Sequence, residues 1–128
     1  MKTNYIEMNI DEMKQVKETW QIHLKIFIRR LRHVQNIEET KENRWELLQL
    51  AESLKLSIET IKKVMAIYSE LINLGENCEL DEDYFLSEMK EVQILHKSFK
   101  DENNKKSTKD LLKKYPYNYH STKPTLNI

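Results

Sequence analysis

Apolar residues return at helical spacing along most of this chain. Met13, Val16, Trp20, Leu24, Phe27, Leu31 and Val34 follow one another at steps of 3, 4, 4, 3, 4 and 3. That is close to a heptad stripe, and it predicts a helix over 11–35, started by Asp11 with Glu12 at its positive end. Ile22, Ile26 and Ile28 add apolar surface beside the stripe. A helix that is apolar on more than one side is central in its own domain or buried against a second subunit. A homodimer through Trp20, Ile22, Ile26 and Phe27 is therefore expected.

Two further amphipathic runs follow. Trp45, Leu47, Leu48, Leu50, Ala51 and Leu54 mark a helix over 43–54, and Ile61, Val64, Met65, Tyr68, Leu71 and Ile72 mark one over 58–74. Ser57 has the chemistry of an N-cap for the second, which places a short corner at Lys55-Leu56. Gly75 is expected at the left-handed position that ends that helix. Asp81 is a cap for a helix over 82–100, with Phe85, Leu86, Met89, Val92, Leu95 and Phe99 inward. Asp101 to Thr108 reads as a loose polar link, and a short helix near 109–115 is stopped by Pro116. The fold expected is all-α: a compact bundle of four or five helices over residues 1–100, with a flexible, basic, tyrosine-containing tail over 101–128.

The segment Leu50-Ala51-Glu52-Ser53-Leu54-Lys55-Leu56-Ser57-Ile58-Glu59-Thr60-Ile61-Lys62-Lys63-Val64 resembles the helix-turn-helix of small DNA-binding transcription regulators. The small Ala51 would let two helices approach, Leu50 and Leu54 would face the core, and Leu56 would plug the corner. Ile61 and Val64 would anchor the second helix. Lys55 departs from the pattern, which has Gly there, and a left-handed Lys costs about 1 kcal/mol.

The resemblance implies a transcriptional regulator that binds double-stranded DNA, with 58–70 as its recognition helix. Ser57 and Thr60 would donate to bases or phosphate, and Glu59 would accept from a cytosine amine. Lys62, Lys63 and Arg44 would supply charge. Arg29, Arg30 and Arg32 on the first helix would hold flanking phosphates or an acidic partner. An ordinary hairpin of a helical bundle uses the same residue types at the same spacings, and the sequence leaves both readings open.

Composition narrows the picture. One Gly and two Pro in 128 residues favour long helices over a strand-and-turn fold. Lys plus Arg and Asp plus Glu each number 21, so the net charge is zero. That argues against a non-specific nucleic-acid coat but leaves room for a local basic face. Charge is segregated late in the chain: residues 76–99 hold seven acidic and two basic residues, and residues 100–128 hold three acidic and seven basic. The second function class follows from this split. It is a regulatory or inhibitory module that binds a protein partner through its helical surface or its tail, where Tyr115, Tyr117 and Tyr119 could form a docking strap.

No phosphate loop, Cys-x-x-Cys or His-Glu-x-x-His motif is present, and His23, His33, His96 and His120 are scattered. The expectation is no enzyme, no cofactor and no metal. Cys78 is the lone cysteine, Met1 to Ile10 lacks an apolar core, and the longest apolar run is broken by Lys25, Arg29 and Arg30. A cytoplasmic location with no membrane span is expected.

Overall fold

The structure is a computed structural model that describes the backbone of residues 2–117 and the side chains of residues 10–117. Those residues form four helices and no strand: α1 (Lys2–Gln35), α2 (Arg44–Glu76), α3 (Glu82–Asn104) and α4 (Lys106–Lys114). Among the described residues no helix is long and apolar enough to cross a membrane.

The expected corner at Lys55-Leu56 is absent. The backbone is helical without interruption from Arg44 to Glu76. Leu47, Leu50, Leu54, Ser57, Ile61, Val64, Tyr68, Leu71 and Gly75 step by 3 and 4 alternately through the place where the turn was expected, and all nine are buried. A stripe of that period keeps one side of an α-helix facing its neighbours over its whole length. Lys55, Leu56 and Ser57 contain no helix breaker, and a turn there would force Lys55 into the left-handed region. Continuing the helix avoids that strain and buries both halves of the stripe together.

α2 is the central helix, with α1 antiparallel along one side. Lys14 Nζ reaches Glu76 Oε2 at 2.8 Å, and Ile10 lies over Gly75. A Cβ on Gly75 would sit 2.8 Å from Ile10 Cγ1 and Cδ1. Gly75 therefore makes room for the Ile10 side chain where the helices approach and does not, as expected, form a left-handed turn. It is still helical. The left-handed residue that ends α2 is Cys78, at φ 58°. Cys78 N–H donates to Gly75 O and Glu79 N–H to Leu74 O, the paired bonds of a Schellman turn. The link into α2 is closed by Thr40 and Asn43, each accepting on its side chain from the other's backbone N–H, the reciprocal pattern of a capping box.

α1 begins at Lys2 and runs through Asp11, the residue expected to start it. Asp81 caps α3 as expected, its carboxylate accepting from Tyr84 N–H at 3.0 Å. α3 continues to Asn104, and α4 starts two residues later, so most of the segment expected to be loose is helical. The only break is Lys105, at φ −60° and ψ 135°. α3 and α4 together form a third, kinked column that covers both halves of α2.

The kink is fixed by a part-buried polar cluster. Ser53 Oγ donates to Glu102 Oε2 at 2.7 Å and lies 3.3 Å from Thr108 Oγ1. Asn103 Nδ2 donates to Ser57 Oγ and to Phe99 O. Lys105 Nζ is 2.9 Å from the other Glu102 oxygen. Further along, Glu46 accepts from Tyr115 Oη at 2.7 Å and Lys114 Nζ at 2.9 Å, which anchors the end of α4 on the start of α2. The Ser53 hydroxyl and Lys105 hold the Glu102 carboxyl below its ordinary value, and Tyr115 and Lys114 do the same for Glu46. A carboxyl lowered in the folded state contributes its stability in full above its unfolded value, near 4.5, and loses it as the pH falls through the lower folded value. Acid from about pH 4.5 downward is therefore expected to release α4 before α1 and α2 separate. Amide exchange along the chain should show α4 losing protection first; uniform loss would mean that these contacts do not hold it.

Candidate protein-interaction face

With α1 on one side and the α3–α4 column on the other, α2 keeps a strip open to solvent. Trp45, Leu48, Glu52, Leu56, Glu59, Lys63 and Ala66 recur at steps of 3, 4, 4, 3, 4 and 3 along it, with Lys55 and Lys62 beside them, and all are exposed. The spacing is helical, so these side chains share one surface. Trp45 is 73% exposed, Leu56 56% and Leu48 50%. Scattered single apolar residues are ordinary on a protein surface, but a Trp in line with two Leu on one helix face is a patch. Covering each Leu would regain roughly half of the full-burial value of 1.5–3 kcal/mol. Trp is also the residue type most enriched among the dominant contacts of protein interfaces.

This strip overturns one sequence expectation and decides what the sequence left open. Leu56 was expected to plug a corner, and Trp45 and Leu48 to mark an amphipathic helix; all three face solvent. The reason is the choice of stripe. The set from Leu47 through Ser57 to Gly75 is the one that meets α1 and α3, and a helix that buries it must turn Trp45, Leu48 and Leu56 away.

The residues expected to contact DNA divide. Ser57 is only 1% exposed and accepts a hydrogen bond from Asn103, so it caps nothing and faces no ligand. Ile58, the first residue of the expected recognition helix, is buried. Thr60 Oγ1 donates to Leu56 O at 3.0 Å within the helix. Arg44 Nε is 2.8 Å from Glu39. Glu59, Lys62 and Lys63 are exposed, on the same strip as Trp45. On α1, Arg29 and Arg32 are exposed, whereas Arg30 is half-buried, its guanidinium 5.1 Å over the Phe27 ring and lowered from its ordinary value by burial.

The residues expected at a dimer interface divide as well. Trp20 and Phe27 are buried within the chain's own core. The α1 and α3 backbones stay apart, and aromatic rings fill the space between them. Trp20 lies 5.3 Å from Phe99 and 5.5 Å from His96, ring centre to ring centre, and Phe27 lies 5.3 Å from Phe99. His23 borders the same cluster, 6.0 Å from Trp20. Sequence reading missed this convergence, although the i, i+3 spacings of Trp20 with His23 and of His96 with Phe99 were visible. Ile26 is half-buried, and Ile22, 59% exposed, stands among Glu18, Lys25 and Arg29 at helical spacing.

Titratable groups elsewhere act as ties between helices. The Tyr84 hydroxyl donates to Glu70 and lies 3.2 Å from Glu88. The bond to Glu70 pushes its pKa up to about 12, with burial and the Glu88 charge adding to the shift. A phenol held protonated in this way is the opposite of an activated base or nucleophile. Among the described residues no three His, Cys, Asp or Glu side chains converge as a metal site. Tyr115 and Tyr117 of the expected strap lie on the chain's own bundle, Tyr115 on Glu46 and Tyr117 edge-on to His33 at 5.8 Å. Tyr119, His120 and the rest of the tail lie outside the described residues.

Comparison with protein-family models, with curated proteins and with solved structures returns no match for this chain.

Proposed function

We propose that the chain is a non-catalytic protein-binding module whose binding surface is the solvent strip of α2. One observation carries this reading. The helix that supplies half of the buried hydrophobic residues described also presents Trp45, Leu48 and Leu56 to water in a single line. The expected DNA-binding function draws less support. Its bent helix pair is one continuous helix here, two of its recognition positions point inward, and Glu52 and Glu59 stand among the lysines that would meet phosphate.

A photo-reactive phenylalanine analogue at position 45, expressed in the full chain in cells, should cross-link to protein. The same group at Lys90 on α3 or Lys25 on α1 should not. Equal cross-linking at all three positions would sink the reading. A gel shift on duplex DNA at low salt that disappears in the Lys62→Ala, Lys63→Ala double variant would put DNA binding in its place.

A further inference from the structure

We infer that the occupant of the α2 strip is a second copy of this chain, bound antiparallel about a two-fold axis at the level of Ser57. The inference rests on the protein-binding reading of the strip and names its partner. It places self-association on α2, not on the α1 residues that the sequence suggested.

The charges on the strip carry the argument. Glu52 and Lys62 are centred on position 57, and so are Lys55 and Glu59. In an antiparallel two-fold pair, residues centred on the axis position face each other across the interface. Glu52 then meets Lys62 of the second copy, with Lys63 next to it, and Lys55 meets Glu59 of the second copy. Each contact occurs twice, and every one joins opposite signs. An in-register parallel pair would instead set Glu52 on Glu52 and Lys55 on Lys55. Such contacts add little affinity at a surface, but they select orientation and register. Among the described residues none of these five charges is in an ion pair within the chain.

Side-chain size follows the same symmetry. Leu48 and Ala66 are centred on position 57. The bulky apolar residues lie on the N-terminal half of the strip and the small Ala66 on the C-terminal half. An antiparallel copy therefore sets Leu48 over Ala66, while Leu56, beside the axis, meets its own counterpart. All of these positions are exposed in the single chain.

Sedimentation velocity on the full chain at roughly 10–100 µM, the range suited to an interface below standard size, tests the inference. The wild-type chain should sediment as a dimer. Lys55→Glu should weaken association at least about tenfold, since it turns two attractive contacts repulsive. Adding Glu59→Lys to it should restore dimerisation, because the exchanged charges again face opposite signs only if the partner carries the same substitutions. Both positions are exposed, and an unchanged far-UV circular dichroism spectrum confirms the fold of each variant. A monomeric wild-type chain, or a dimer indifferent to Lys55→Glu and to Trp45→Ala, overturns the inference. A monomer whose position 45 still cross-links to a different protein overturns the second copy alone and leaves the protein-binding reading standing. A monomer with no specific cross-link overturns both.

Discussion

Leu56→Pro is expected to destabilise the chain by about 3 kcal/mol or more, a large part of the 5–15 kcal/mol that a domain of this size has in total. Position 56 lies in the interior of α2, far from both ends. A proline there removes the bond from the residue 56 amide to the Glu52 carbonyl, and its ring collides with that carbonyl. Leu56 is mostly exposed, so little buried apolar contact is lost and the effect reports on the backbone. Had the chain turned at Lys55-Leu56, a proline would cost little. Lys55→Gly should have the opposite sign in the two cases. Within a continuous helix it costs about 1 kcal/mol, whereas at a left-handed turn it relieves strain. Urea denaturation followed by circular dichroism reads both. A proline variant within about 1 kcal/mol of wild type, together with a stabilised glycine variant, would restore the helix-turn-helix.

Trp20→Ala should cost about 3–5 kcal/mol, the range for truncating a large buried aromatic. The α1 and α3 backbones do not approach each other here, and the indole spans the gap to Phe99 and His96. Trp20→Phe, which keeps a ring in place, should cost far less. If Trp20 served a subunit interface instead, the alanine variant would change self-association and make apparent stability depend on protein concentration. Denaturation of the variant at two concentrations tenfold apart separates the cases. A loss below about 1 kcal/mol would mean that the seam between α1 and α3 is not packed as described.

The all-helical fold was legible in the chain. The apolar residues keep a helical period, and one Gly and two Pro leave few places for a helix to stop. The cap of α3 was legible too, since an Asp with its first-turn acidic neighbours acts locally. The continuity of α2 was written in the steps from Leu47 to Gly75, but two members of that set are not apolar. Ser57 looked like a helix cap because a serine has no reason to be buried unless something meets it. What meets it is Asn103, 46 residues away, and Ser53 likewise depends on Glu102, 49 residues away. Local sequence holds no record of such partners.

The same physics decided the candidate site. α2 carries two lines of side chains that each hold large apolar residues, the second interleaved with Glu52, Glu59 and Lys63. One holds Leu50, Leu54 and Ile61, the other Trp45, Leu48 and Leu56. The sequence determined that both exist. Only tertiary packing chose between them, because a helix can bury just the side that its neighbours reach. The line with room for Ser53, Ser57 and Gly75 lets α1 and the α3–α4 column come close. Trp45, being bulky, was left facing the water.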